Sequence, residues 1–147
     1  MPVDVVTDIE IARPRSEVAA FSADPANATQ WYRAIRDVTW ETPPPLAVGS
    51  RVRFRATFLG RMLEYTYEVS EFEPLERLVM GTSDGPFTMQ TTYAWTDAGR
   101  GTHMSLRNRG EPDGFLRALG AVLEPAMRRA NRRDLASLKA VLERGAS

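Results

Sequence analysis

The last third of the chain carries the constraint that every other segment must satisfy. Between Phe115 and Leu142, the residues Leu116, Leu119, Leu123, Met127, Ala130, Leu138 and Leu142 recur at steps of three or four along one helical face. Asp134 alone interrupts the stripe, and Leu135 can take over its turn. Arg117, Arg128, Arg129, Arg132, Arg133 and Lys139 fall largely on the opposite side, as a solvated face requires. A helix this long cannot leave its apolar stripe in water, so the rest of the chain must supply a surface to receive it. Pro125 lies inside the run, where it removes a backbone hydrogen bond and collides with the preceding turn. The expectation is a kink near Leu123, or two helices with Pro125 opening the second.

That surface is made of strands. Val3, Val5, Thr7, Ile9 and Ile11 alternate with Asp4, Asp8 and Glu10, which gives one dry face and one wet face. Arg13-Pro14-Arg15 ends this strand. Ser16 is read as the N-cap of a short helix from Glu17 to Phe21, and Asp24-Pro25 as the cap and first position of another that reaches Trp31-Tyr32. A second strand, Ile35 to Glu41, is stopped by Thr42-Pro43-Pro44-Pro45. Val52, Phe54, Ala56 and Phe58 alternate with Arg51, Arg53 and Arg55 in the third. After a turn at Leu59-Gly60-Arg61, the fourth runs from Met62 to Phe72, with Leu63, Tyr65, Tyr67 and Val69 on one face and Glu64, Glu68 and Ser70 on the other. This parity predicts Arg53 and Arg55 across from Glu64 and Glu68.

Glu73-Pro74 turns the chain into a fifth strand, Leu75 to Thr82, and Ser83-Asp84-Gly85-Pro86 into a sixth. There Phe87, Met89, Thr91, Tyr93 and Trp95 share a face opposite Thr88, Gln90 and Thr92. A hairpin turn at Asp97 to Gly101 leads to the seventh, with Thr102, Met104, Leu106 and Asn108 inward and His103, Ser105, Arg107 and Arg109 outward. The predicted order is strand, two short helices, six strands, long helix. This is an α+β architecture in which a seven-stranded antiparallel sheet is covered by the C-terminal helix.

Composition narrows the function. The 147 residues suit one domain spanning 1–147. Nineteen basic residues balance nineteen acidic ones, which argues against nucleic-acid binding driven by net charge. All but one of the basic residues are Arg, a bias too scattered to reflect bidentate contacts at every position. With no Cys there is no disulfide, thiolate zinc site or Cys nucleophile. The N-terminus Met1-Pro2-Val3-Asp4 lacks a basic region followed by an apolar run, and no segment approaches the ~18 apolar residues of an integral membrane span. A cytoplasmic protein is the expectation.

Several short patterns together resemble the SRPBCC helix-grip superfamily, which includes START domains, birch-pollen-allergen-like proteins and polyketide cyclases. They are Ile9-Glu10-Ile11 with Pro14 and Glu17-Val18, and Asp24-Pro25 ahead of Trp31. Further along come Tyr67-Glu68-Val69 with Phe72-Glu73-Pro74, Gly101-Thr102, and Leu135 with Leu138-Lys139 and Glu143. The likeness covers nearly the whole chain and is to the polyketide cyclase/dehydrase-like branch. It implies a curved sheet wrapped around the long helix and a deep, mostly apolar cavity between them. Members use such a cavity to carry lipids or sterols, to guide polyketide cyclisation or to bind partner proteins. Combined with the strand parities, the resemblance places Phe54, Phe58, Tyr65, Tyr67, Met89, Thr91, Tyr93, Met104, Leu106 and Asn108 on the cavity wall. Leu119, Leu123 and Met127 cap it, and Trp31 and Tyr32 stand at its mouth.

The side chains suited to chemistry are few. His103 is the only imidazole and points outward, which leaves no metal site and no Ser-His-acid triad. Gly99-Arg100-Gly101 is a hairpin and not a nucleotide loop, so no cofactor is expected. Tyr65, Tyr67 and Tyr93 would set phenols in an apolar wall, where they orient a ligand oxygen or donate to a developing enolate. Asn108 both donates and accepts. Polyketide cyclases of the superfamily orient carbonyls with Arg, Tyr and Trp; Tyr65, Tyr67, Tyr93 and Trp95 supply the aromatics, but no inward strand position holds an Arg, and Arg33 or Arg36 would have to fold in from the mouth. Arg128, Arg129, Arg132 and Arg133 form a basic stripe, read as a solvated face tied locally by Glu124 and Asp134, with anionic headgroups or an acidic partner as the alternative. The expected activity is binding of a small hydrophobic ligand, lipid, sterol-like or polyketide-like, without metal or nucleotide. A polyketide aromatase/cyclase using the cavity tyrosines and a ligand-free interaction module are the rivals, and homodimerisation is left open.

Overall fold

The computed structural model describes residues 2–82 and 87–144. Its elements are β1 (Val3–Ile11), α1 (Arg15–Ala23), a 3-10 turn (Pro25–Asn27), α2 (Ala28–Trp31), β2 (Ile35–Trp40), β3 (Arg51–Phe58) and β4 (Arg61–Glu73). There follow β5 (Arg77–Gly81), β6 (Phe87–Ala98), β7 (Gly101–Pro112), α3 (Gly114–Ala118), a second 3-10 turn (Gly120–Val122) and α4 (Leu123–Arg144). The strands form one antiparallel sheet in the order β1-β7-β6-β5-β4-β3-β2. This is the helix-grip fold, with the helical segment after β1 carrying the chain from one edge of the sheet to the other. The turn expected at Ser83-Pro86 lies outside the described residues.

Local chemistry explains most boundaries. Asp24 caps the first 3-10 turn by accepting from the Ala26 amide at 2.9 Å, with Pro25 in first position. The first helix starts earlier than its Ser16 cap predicted: Pro14 is the flanking residue, and no side chain caps the helix. The C-terminal helix is broken ahead of Pro125. Gly120 takes a φ of +54°, a conformation L side chains rarely adopt, and the chain restarts as α4 at Leu123. Pro125 therefore falls in the first turn of α4, where its missing N–H has no intrahelical partner to lose.

Strand register corrects one pairing. Arg51 is the residue opposite Glu68, and Arg53 faces Thr66. Arg55 does face Glu64, but its guanidinium reaches Asp37 on the neighbouring strand at 2.8 Å, leaving Arg53 3.7 Å from Glu64. These pairs are solvent-exposed and contribute a fraction of a kcal/mol each.

Helix α4 covers the sheet and seals its β1 edge. Leu135, Leu138 and Leu142 are buried with Ile11, Val18, Trp95, Met104 and Leu106, and each such side chain contributes about 1.5–3 kcal/mol through apolar burial. A second cluster gathers Val3, Val5, Leu116, Leu123 and Met127. An edge strand exposes a row of unpaired backbone groups. Here polar side chains of α4 reach that row: Arg128 donates to the Val6 carbonyl at 3.1 Å and Lys139 to the Glu10 carbonyl at 2.8 Å, while Glu124 and Glu143 accept from the Asp4 and Ala12 amides at 3.4 and 2.8 Å. Lys139 and Glu143, part of the resemblance pattern, are thus edge clamps that also pair with each other at 2.6 Å.

Helix α1 is pinned to the sheet from within. The Trp95 indole N–H donates to Ser22 Oγ at 3.0 Å, and Ser22 in turn donates to the Val18 carbonyl at 2.6 Å. Thr102 Oγ1 donates to the Arg13 carbonyl at 2.8 Å, just before the helix starts. Gly101 is required beside it, because a Cβ there would lie 2.5 Å from the Ile11 carbonyl oxygen.

Candidate functional site

Where the two apolar clusters do not close against each other, a cavity of about 160 Å³ is left between the sheet and α4. Phe54 and Phe58 of β3, Tyr65 and Tyr67 of β4, and Met89, Thr91 and Tyr93 of β6 line it, all predicted from parity. Asn108 of β7, Tyr32 at the end of α2 and Met127 of α4 join them. The aromatic side chains line this space without filling it.

Five predicted wall residues lie elsewhere. Met104 and Leu106 are inward but fully buried under α4, so they belong to the packed core. Leu123 and Leu119 pack in and against the second cluster. Trp31 is not at the mouth: it is buried, with its ring centroid 4.0 Å from that of Tyr32 and 5.9 Å from that of Tyr93. Arg33 and Arg36 are exposed, and Arg36 spends a guanidinium N–H on Thr57 Oγ1 at 3.4 Å.

Two residues that strand parity could not supply complete the wall. Asn131 and Asp134 of α4 line the cavity and are only 7% and 6% exposed. Asp134 is the residue that interrupted the apolar stripe. It does not tie the surface arginines as expected; it turns inward and accepts a hydrogen bond from the Arg33 amide at 3.0 Å. Burial pushes its carboxyl up to about 6, against the opposing pull of that amide and of the Arg133 and Arg33 charges. The signal was in the sequence, as an acid on an otherwise apolar face.

The polar groups of the wall are connected. Tyr67 and Thr91 hydroxyls lie 2.8 Å apart, and Thr91 donates to Asn108 Oδ1 at 2.6 Å. A hydroxyl has one proton to give, so Tyr67 must be the donor to Thr91. Tyr32 and Tyr93 hydrogen-bond each other through their hydroxyls. Only one proton lies in that bond, which leaves the second free to face a ligand. Desolvation raises all four cavity phenols, Tyr65 to about 12, and the Asp134 charge adds to the rise at Tyr32, Tyr65 and Tyr93. Near neutral pH they are neutral groups that donate hydrogen bonds; they are not bases. Among the described residues no cluster of His, Cys, Asp and Glu has the makings of a metal site, and no helix is long and apolar enough to cross a membrane.

A family described as polyketide cyclase / dehydrase and lipid transport matches residues 2–143. The chain belongs to that family. Solved structures share the fold at low identity. The Zhui aromatase/cyclase of a Streptomyces species superposes with a TM-score of 0.81 at 13% identity, covering 100% of this chain and 97% of that one. A START superfamily protein of Mycobacterium smegmatis gives 0.83 at 13% identity, with coverage of 96% and 97%. TTHA0849 of Thermus thermophilus gives 0.85 at 18% identity, with coverage of 99% and 100%. No curated protein matches the chain by sequence. Family membership and fold point to hydrophobic-ligand binding or polyketide cyclase/dehydrase chemistry.

Proposed function

We propose that the protein binds an apolar or amphipathic small molecule, lipid, sterol-like or polyketide-like, in the cavity between the sheet and α4. The observation that carries this reading is the wall itself: mostly aliphatic and aromatic, with a few convergent polar groups. Apolar burial would supply most of the affinity, and the phenols and amides the orientation. The volume limits the occupant. About 160 Å³ is close to the ~150 Å³ of an apolar cavity that admits benzene, and below the ~300 Å³ at which drug-sized pockets begin. A single ring fits as the walls stand, and a longer ligand requires them to yield. The wall includes Pro25 and Ala28, which belong to two short helical pieces and not to the sheet.

Native mass spectrometry of protein purified gently from its own source, followed by denaturing extraction, tests the reading. A stoichiometric released molecule is the expected result, together with uptake of the neutral single-ring probe toluene, read as shifts of the NMR signals of cavity residues. A bare protein that also excludes the probe would overturn it.

A second reading, an aromatase/cyclase, is favoured by the Tyr32–Tyr93 pair, which keeps one phenolic proton free to donate to a developing enolate oxygen, and by Tyr67, whose bond to Thr91 fixes the polar chain that ends at Asn108. On a confirmed polyketide substrate, Tyr93→Phe and Tyr67→Phe should each lower turnover by about 10²-fold without changing the far-UV circular dichroism. Full activity in both variants would exclude a catalytic role for these phenols.

A further inference from the structure

The cavity contains charge of one sign. Among the described residues, Asp134 is its buried ionisable carboxylate and Asp24, exposed at the rim, is the other acid on its wall; no described Lys, Arg or His lines it. Beside Asp134, one helical turn back on α4, Asn131 presents a buried Nδ2 with no hydrogen-bond partner. Leaving such a group unpaired is costly, and because the Asn131 side chain borders the cavity, a ligand acceptor that draws the amide toward it would supply the partner. The carboxylate is likewise unsaturated. Among the described residues it receives one hydrogen bond, from the Arg33 amide, whereas an ionised carboxyl offers about four acceptor sites.

The sign of the charge decides which ligand heads are compatible. A carboxylate-headed ligand would bring a second negative charge into a low-dielectric space with no cationic side chain on its wall. An ammonium or hydroxyl head would instead donate to the free acceptor sites of Asp134.

We propose that Asp134 and Asn131 select the polar end of the ligand: the cavity takes ring-bearing molecules with a hydrogen-bond-donating head, best a protonated amine, and rejects carboxylate-headed ones. The proposal rests on the ligand-binding reading above and adds the head-group class to it. Burial pushes the Asp134 carboxyl up to about 6, which leaves it ionised at pH 7.5, and an ammonium partner holds it ionised further down in pH.

The test uses three ligands with one phenyl ring and different heads: 2-phenylethylamine, 2-phenylethanol and 3-phenylpropanoate. Each is titrated at pH 7.5 into protein labelled with 15N-asparagine, with the Asn131 side-chain amide as the reporter. The amine should bind about tenfold more tightly than the alcohol, and the carboxylate at least tenfold more weakly than the alcohol. In Asp134→Asn, a variant that keeps an acceptor oxygen for the Arg33 amide, amine and alcohol should come within about threefold of each other. In the unmodified protein, lowering the pH from 7.5 to 5 should weaken the amine and leave the alcohol unchanged. A carboxylate that binds as well as the amine, an amine preference that survives Asp134→Asn, or entry of the neutral toluene probe with none of the three phenyl ligands would overturn the head-group assignment. Exclusion of the probe as well would instead bring down the ligand-binding reading beneath it.

Discussion

Replacing Trp95 with alanine should cost about 3–5 kcal/mol of folding stability, a large share of the ~5–15 kcal/mol that holds a domain of this kind together. Trp95 is 1% exposed and sits in the last third of β6, with its ring edge-on to Tyr93 at 6.1 Å between centroids. Its removal opens a void of nearly a whole indole in a packed interior, and the neighbours on a sheet cannot collapse into it freely. It also cuts the N–H bond to Ser22, the polar tie between the sheet and α1. Trp95→Phe separates the two effects. It keeps most of the ring volume and loses the N–H, so about 1–2 kcal/mol is expected. Urea unfolding followed by far-UV circular dichroism measures both, with the midpoint moving and the slope unchanged. A loss below about 1.5 kcal/mol for the alanine variant would mean that α1 is held to the sheet by something other than this residue.

Asp134→Asn should make the protein more stable at pH 7 by roughly 2–3 kcal/mol, the energy equivalent of a rise from the ordinary aspartate range to about 6. The sign follows from linkage. The folded state holds the Asp134 proton more tightly than the unfolded state, so the contribution of Asp134 to stability is most favourable below about pH 4. It falls as the pH rises from there to about 6, and is flat above. The charged groups that act on this carboxyl are Arg33 after α2 and Arg133 on α4; its own charge in turn raises the neutral phenols of Tyr32, Tyr65 and Tyr93. Asn cannot ionise, yet its Oδ1 can still accept from the Arg33 amide, so the variant removes the charge and keeps the bond. Stability measured from pH 4 to 8 should show a difference between the two proteins that grows with pH and levels off near 6. Other carboxyls, such as Asp4 and Glu143, are shifted the opposite way by Arg107 and Lys139 and cancel in that difference. A difference that is flat, or that favours the unmodified protein at neutral pH, would mean Asp134 is better solvated than its position implies.

Such a destabilising acid also bears on function. A group kept at a cost to folding stability, inside a cavity and beside an unpaired amide, makes sense if a ligand completes its coordination. The same residue shows where sequence reasoning stopped. Its position on the apolar stripe was visible, but an acid on a helix rich in arginine is ordinarily a surface residue. What turns it inward is the Arg33 amide, 101 positions earlier in the chain.

The alternation of Val52, Phe54, Ala56 and Phe58, or of Leu63, Tyr65, Tyr67 and Val69, determined by itself which side chains face inward, because the period of a strand is a local property of the backbone. The three-to-four-residue step of Leu116 to Leu142 likewise determined that one helix had to cover them. Only the tertiary structure decided how that inward face is divided. Met104 and Leu106 share the parity of Asn108, yet α4 lies close enough to bury the first two completely, while Asn108 borders the open space. The division depends on where the curved sheet departs from the helix, and that separation is set by packing between segments far apart in the chain. Edge clamping followed the same rule: Lys139 and Glu143 read as polar helix residues until the Glu10 carbonyl of β1 and the Ala12 amide just after it came within 2.8 Å of them.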